Sequence, residues 1–398
     1  MKKFGPALLV TAAFIGPGTV TTATLAGGNY GFALVWALIF SVIATFVLQE
    51  MASRLGLVTG RGLAEAITEQ FSGIKRLLAV FLVISAIGIG NAAYQGGNLT
   101  GAALGLSGLA GGKLVHWVWL LAAISSALLL SGKYKLVEKA LIGLVLTMST
   151  VFIATMFIAG PDLIEILKGA FSFALPSGSS LMVIALIGTT VVPYNLFLHA
   201  SIVANNRQDN QDLPSAMKNN RIDTTLSIGL GGFITLSILS CAATAFFATQ
   251  TEVQAHNIGQ QLTPLLGNYA NIFFAIGLFS AGLTSAITAP LAAAYAVSGA
   301  LGWQPDLSNK KFKTIWITVM LAGITFASIG IKPLAAILFA QAANGLLLPV
   351  IAIFLIWTLN NKSLMGNQTN GFLANLFGGL IVAFVSTLGL YKVVSLFF

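Results

Sequence analysis

Long apolar segments separated by short polar stretches run along the whole chain. A helix needs about 20 mainly apolar residues to cross a bilayer, and eleven segments reach or approach that length. The predicted spans cover residues 5–28, 31–53, 75–107, 113–131, 136–160, 170–204, 221–248, 269–298, 311–329, 334–360 and 371–396. The pattern therefore predicts an all-α polytopic membrane protein with the lipid bilayer as its partner.

Composition and charge support a membrane protein. Of 398 residues, 57% are hydrophobic and only 8% are charged, whereas soluble proteins carry about 25% charged residues. The net charge of +9 does not indicate a nucleic-acid partner, because the basic residues lie in short loops. Cys241 is the only cysteine, which excludes an intrachain disulfide and a thiolate metal cluster.

The distribution of lysine and arginine predicts the orientation. With the N-terminus in the cytoplasm, sixteen of the 20 basic residues fall in cytoplasmic loops and four outside, as the positive-inside rule requires. We therefore expect a cytoplasmic N-terminus and an integral protein of the plasma membrane, such as a bacterial inner membrane. The sequence predicts no particular oligomeric state.

Two of the predicted spans are interrupted by proline at matching places. The interruptions are Gly16-Pro17-Gly18-Thr19 in the first span and Val192-Pro193-Tyr194-Asn195 in the sixth. Proline breaks a helix, and paired interruptions in two halves of a membrane protein point to the substrate site of a secondary transporter. We predict one transporter domain with a first repeat over 1–163, a second over 164–360 and an eleventh helix over 361–398.

Neutral polar side chains surround the predicted breaks. Together with the neighbouring glycines and Val192, they form the candidate substrate-binding set, which is Gly16, Gly18, Thr19, Thr21, Thr22, Thr189, Val192, Tyr194, Asn195, Gln95, Asn98, Gln341 and Asn344. For the third-span and tenth-span amides, interhelical hydrogen bonding and pore lining stay equally open.

The candidate set contains no carboxylate. No acidic residue occurs between Lys3 and Glu50 or between Glu165 and Asp209, and two positive helix ends without a carboxylate favour an anion. We therefore predict no metal ligands in the protein. His199 is the one titratable side chain near the sixth-span break, and proton coupling and neutral packing stay open as its roles.

These residues resemble the Nramp family of divalent-metal transporters over nearly the whole chain. The family's first span carries a Gly-Pro start and an Asp-Pro-Gly-Asn break, and its sixth span carries Met-Pro-His-Asn-Leu-Tyr-Leu-His. The matching segments here are Gly5-Pro6, Gly16–Thr19, Val192–His199, the connector Arg54–Glu65, and Gln341 with Leu348-Pro349. The resemblance implies a LeuT-type 5+5 inverted repeat plus one helix and alternating access.

The chain departs from the family at the metal site itself. By the resemblance, the family's metal-binding aspartate and asparagine correspond to Gly16 and Thr19. Its methionine and first histidine correspond to Val192 and Tyr194. The acidic pair of its third span corresponds to Gln95 and Asn98 in a loose alignment.

From these features we predict a secondary transporter that takes a small inorganic ion, with H⁺ or Na⁺ as a coupled ion. A small oxyanion such as bicarbonate is the first hypothesis, because the site is carboxylate-free. A divalent cation, Mg²⁺ or Mn²⁺, bound largely hydrated, is the alternative, and a non-transporting sensor is a third. The chain has no phosphate-binding loop or dinucleotide fingerprint, and His199 has no acid or cysteine near it in sequence. We therefore expect no cofactor and no enzyme activity.

Overall fold

The computed structural model describes residues 15–131, 134–207, 212–303, 306–307 and 309–394. Within these ranges the protein contains helices and no β-strands. In chain order the α-helices are α1 (Pro17–Tyr30), α2 (Val35–Thr59), α3 (Leu63–Glu69), α4 (Gly73–Ala110), α5 (Leu114–Ser131), α6 (Tyr134–Ala159), α7 (Leu163–Ser172), α8 (Ser180–Thr190), α9 (Pro193–Asn205), α10 (Leu213–Ala242), α11 (Thr263–Leu266), α12 (Ala270–Leu301), α13 (Lys310–Ser328), α14 (Pro333–Leu359), α15 (Lys362–Met365) and α16 (Phe372–Val394). A π-helix, Ala243–Phe247, extends α10, and short 3-10 helices lie at Ile258–Leu262, Gly267–Tyr269 and Gly366–Gln368.

A helix occupies each of the eleven predicted spans. Among the described residues, eight helical segments are long and apolar enough to cross a membrane, or nine if α6 and α7 count as one bent span. The first span contributes the 14 residues of α1, because its predicted start at residues 5–14 lies outside the described residues. The ninth, α13, carries three lysines in its first four residues. The predicted all-α polytopic fold is confirmed.

Two predicted boundaries are wrong. The sixth span does not start at residue 170, because Leu163–Ser172 forms a separate helix that meets Val145–Ala159 at 112°. The span itself runs from Ser180 to Asn205, after a loop that contains Pro176. The amphipathic pattern of Arg54–Glu65 predicts a separate cytoplasmic connector helix along the membrane surface, and this is also wrong: α2 continues to Thr59, Gly60 ends it in the left-handed conformation, and the short α3 follows.

Close backbone contacts bring the broken span against α14. A Cβ atom on Gly188 of α8 would lie 2.0 Å from the backbone oxygen of Gln341, and one on Gly345 would lie 2.4 Å from the backbone oxygen of Ile184. Only glycine permits such an approach at either position. The two helices therefore meet backbone to backbone beside the second break.

A buried ionic cluster lies at the end of α2 that we predict to be cytoplasmic. The Arg54 guanidinium, only 6% exposed, lies 3.3 Å from the Glu50 carboxylate and donates to Gln368 O at 2.7 Å. It also donates to Asn370 Oδ1 at 2.6 Å. Arg221 of α10 donates to the same Glu50 carboxylate at 2.9 Å. We call Glu50, Arg54, Arg221, Gln368 and Asn370 the Arg54 cluster; it ties α2 and α10 to the segment before α16.

Candidate functional site

The first break is a helix start in the interior of the protein. Gly16 is the extended N-cap of α1, with φ −98° and ψ −176°, and Pro17 is its first residue. Proline suits this place because the first amides of a helix have no partner in the helix. The first intrahelical bond runs from Val20 N to Gly16 O at 3.2 Å. The segment before residue 15 lies outside the described residues, so only the onward side of this break is described.

The second break divides one span into two helices. α8 ends at Thr190, Val191 and the extended Val192 follow outside any helix, and α9 begins at Pro193. The last turn of α8 closes with Val191 N donating to Ile187 O at 2.8 Å. The carbonyl end of α8 and the amide end of α9 therefore come together inside the protein.

The two breaks lie side by side. The hydroxyl oxygens of Thr19 and Thr189, 170 positions apart, are 2.9 Å apart and form a buried hydrogen bond. This bond joins the first turn of α1 to the last turn of α8. Residues that sequence analysis grouped from two distant segments therefore lie next to each other, and we refer to their surroundings as the candidate site.

Helices α4 and α14 complete the walls of this site. The ring of Tyr94 from α4 packs edge to face on Tyr194 from α9, with centroids 5.3 Å apart. The side-chain amide of Gln341 from α14 lies directly against Gly18, since a Cβ on Gly18 would lie 2.1 Å from Gln341 Nε2. Helices from both halves of the chain therefore contribute to the site.

Several buried polar atoms in this region have no hydrogen-bond partner. Their side chains are at most 2% exposed. Among the described residues they include the hydroxyls of Thr21 and Thr22, both amide atoms of Asn98, Asn195 and Gln341, and the amide nitrogen of Asn344. Most buried polar groups in proteins are paired, so this cluster of unpaired neutral donors and acceptors is unusual and marks the region as the candidate binding site.

The side-chain amides of α4, the third predicted span, differ in their hydrogen bonding. Gln95 Nε2 donates to the backbone oxygen of Ala286 at 3.0 Å and also lies 3.2 Å from the sulfur of Met320. This amide nitrogen therefore bonds α4 to its neighbours. Asn98, one turn on, has no partner for either amide atom. Asn91, on the same face, is likewise buried and unpaired.

His199 links α9 to α2 rather than pairing with an acid. Its Nδ1 donates to Gln49 Oε1 at 2.9 Å, which leaves Nε2 buried and without a partner. Across the part of the chain that the structure describes, no group of three or more histidine, cysteine, aspartate or glutamate side chains is placed to hold a metal ion.

Ser285 of α12 belongs to the site and was missed by sequence analysis. A Cβ on Gly16 would lie 2.7 Å from Ser285 Oγ and 3.7 Å from the Tyr94 hydroxyl. Ser285 stands in an apolar helix with several other serines and threonines, and no sequence signal separates it from them. Only the packing of α12 against the first break reveals its position.

Comparison with known proteins identifies the fold and the family. The family model described as "Natural resistance-associated macrophage protein-like" matches residues 7–395. The divalent metal cation transporter MntH of Aeromonas hydrophila is 26% identical over 100% of this chain and 96% of its own length. MntH of Bacillus subtilis is 28% identical over 99% of this chain and 92% of its own length.

Solved structures share the fold. A mutant of the Eremococcus coleocola manganese transporter superposes with a TM-score of 0.77 at 21% identity, covering 98% of this chain and 86% of its own. Mhp1, a nucleobase-cation-symport-1 family transporter, gives a TM-score of 0.63 at 15% identity, over 98% of this chain and 90% of its own. The fold is therefore the predicted LeuT type.

These findings confirm the expectation of a transporter rather than an enzyme, but they do not support the bicarbonate hypothesis, because the relatives are named as metal transporters. The family match spans nearly the whole chain, and it agrees with the resemblance inferred from the paired breaks. The chain belongs to the Nramp family.

Proposed function

We propose that this chain is an Nramp-type secondary transporter that carries a divalent cation, Mg²⁺ or Mn²⁺, across the bacterial plasma membrane. Support comes from the family match over residues 7–395 and from relatives named as divalent metal cation transporters. The observation that carries the site assignment is the Thr19–Thr189 hydrogen bond, which joins the two helix breaks.

The donor set favours an ion that keeps most of its water. The side chains at the breaks offer hydroxyl and amide oxygens, as in Thr19, Asn195 and Gln341, and no carboxylate. Mg²⁺ dehydrates reluctantly and usually retains several waters. Neutral oxygens can accept hydrogen bonds from those waters without replacing them, whereas a dehydrated divalent ion is bound best where some of its ligands are anionic.

The unpaired backbone groups at the ends of the broken helices contribute partial charges of opposite sign to the site. Carbonyls at the end of α8 are attractive to a cation, and amides at the start of α1 and α9 are attractive to an anion. A small oxyanion is the second candidate substrate, because two helix starts without a carboxylate form a site suited to negative charge.

Uptake into proteoliposomes tests the proposal. Protein reconstituted in liposomes is given Mn²⁺, Mg²⁺ or labelled bicarbonate, and protein-free liposomes provide the background. We expect saturable uptake of Mn²⁺ or Mg²⁺ and background levels of bicarbonate. The reverse result would reject the cation and favour the second candidate.

A matched pair of variants links that uptake to the site. Thr19→Val removes the hydroxyl that joins the breaks, and we expect cation uptake at low concentration to fall about fivefold or more. The control is Thr235→Val in α10, whose buried hydroxyl bonds only to Gly231 O at 2.8 Å. Equal losses in both variants would contradict the assignment.

Coupling to protons is assigned to His199 as part of this proposal. It is the only histidine between Lys168 and Arg207, a stretch that contains no aspartate, glutamate, lysine or arginine, and its Nε2 has no partner. His199→Gln retains a donor toward Gln49 but removes the protonatable group. We expect this variant to fold normally and to lose the stimulation of uptake by an inward proton gradient. Undiminished stimulation would contradict the role.

A further inference from the structure

Ser285 differs from its neighbours in α12 in how its hydroxyl is used. Ser280 donates to Ile276 O at 2.7 Å, Thr284 to Ser280 O at 2.8 Å and Thr288 to Thr284 O at 3.1 Å. These are the usual bonds of helical hydroxyls to a carbonyl one turn back. Ser285 is fully buried, yet its hydroxyl makes no such bond and has no other partner.

The free hydroxyl lies at the first break. Its oxygen is 2.7 Å from the position that a Cβ on Gly16 would take, and the Tyr94 hydroxyl lies 3.7 Å from the same position. Ser285 therefore fills the space into which a side chain at residue 16 would project. By the resemblance, this is where other family members carry the aspartate of the first span.

The backbone around Ser285 is fixed from both sides. Gln95 Nε2 donates to Ala286 O at 3.0 Å, directly after Ser285. One turn earlier, Gly282 packs so closely on Ala102 of α4 that a Cβ would lie 2.6 Å from the Ala102 amide nitrogen. The backbone that carries the hydroxyl is thus held in place against the break, and a site on a fixed backbone binds a ligand at lower entropic cost.

We propose that Ser285 is a substrate-binding residue of the transport site, and that its hydroxyl supplies a neutral oxygen in the place of the missing carboxylate. This inference rests on the proposed function, because it takes the site between the breaks as the transport site. It also explains a preference for a hydrated cation: a hydroxyl can hydrogen-bond to a metal-bound water, whereas it is a weak replacement for a charged ligand.

The first test compares two serines of the same helix. Uptake of Mn²⁺ and Mg²⁺ is measured as a function of concentration in proteoliposomes with wild-type protein, Ser285→Ala and Ser280→Ala. We expect Ser285→Ala to raise the half-saturating concentration about fivefold to tenfold without lowering the melting temperature. The Ser280→Ala control should match wild type. A wild-type concentration dependence in Ser285→Ala would overturn the proposal.

The second test uses the steric exclusion between Ser285 and residue 16. Gly16→Asp alone should melt at lower temperature or fail to fold, because its Cβ would lie 2.7 Å from Ser285 Oγ. Gly16→Asp combined with Ser285→Gly should restore the melting temperature and bind Mn²⁺ more tightly than wild type, as measured by the metal-induced rise in melting temperature. Identical behaviour of the single and double variants would overturn the proposal.

These readouts separate this inference from the proposed function. If wild-type protein takes up bicarbonate and no cation, the proposed function fails, and Ser285→Ala is then judged by its half-saturating concentration for bicarbonate. If wild-type protein takes up a cation and Ser285→Ala matches it, only the assignment of Ser285 fails.

Discussion

Buried polar side chains occur both at the helix breaks and in the Arg54 cluster, and the two regions differ in charge and in pairing. In the cluster, Arg54 meets Glu50, Gln368 O and Asn370. At the breaks, Asn195 and Gln341 are neutral, at most 1% exposed and unpaired at both amide atoms. Charged side chains that find their partners within the chain connect the helices that carry them. Buried neutral groups without a partner destabilise the folded protein unless a ligand binds to them.

Among the variants that test this difference, Arg54→Ala is expected to lower stability the most. Removing one partner of a buried ion pair strands the other, so we expect a loss of about 3–5 kcal/mol in the free energy of unfolding. The temperature at which purified protein loses its monodisperse gel-filtration peak provides the measurement. Arg221→Ala is the control, because the Arg221 side chain is 57% exposed and should cost less than about 1 kcal/mol. Similar losses would show that the cluster is not buried as described.

A smaller loss of stability is expected from Gly188→Ala, since its Cβ would lie 2.0 Å from the backbone oxygen of Gln341. A backbone atom cannot move aside cheaply, and we expect a cost of about 1–3 kcal/mol by the same melting measurement. Gly18→Ala is the matched case, because the three atoms nearest to its Cβ would all belong to the end of the Gln341 side chain rather than to a backbone. That variant should fold nearly as wild type while its cation uptake falls. Equal destabilisation by both would contradict the backbone contact.

The smallest change in stability, and of opposite sign, is expected from Asn195→Leu. Leucine keeps the branching and the number of heavy atoms but removes a buried amide that lacks a partner. We expect the ligand-free protein to gain about 1 kcal/mol, and the rise in melting temperature on adding Mn²⁺ to disappear. A destabilised variant that still responds to Mn²⁺ would show that Asn195 is a packing residue.

The helices could be predicted from the sequence, because about 20 apolar residues in a row leave few alternatives in a membrane. The pairing of the two breaks was also predictable from Pro17 and Pro193, since proline cannot continue a helix. The start of the sixth span was not. Apolar residues continue from α7 through Phe173 and Leu175, and hydrophobicity alone does not reveal the loop between this short helix and the span that follows.

Individual side chains of the site were harder to predict than its position. Gln95 and Asn98 have similar chemistry and are one turn apart, yet only Gln95 is bonded to a neighbouring helix. Ser285 became visible only through its distance to Gly16. Such differences depend on which helices pack against which, and that information is not contained in a local pattern of apolar and polar residues.

The absence of charged side chains from the two broken helices has an electrical consequence. Between Lys3 and Glu50 and between Lys168 and Arg207, no lysine, arginine, aspartate or glutamate occurs. Moving one elementary charge through the membrane field is worth about 2.3 kcal/mol per 100 mV. With His199 neutral, the two broken helices would carry no charged side chain through the field when the unloaded carrier returns, and the field would act mainly on the loaded step. The sign of the current under voltage clamp would then report the summed charge of the cargo and of any proton carried with it.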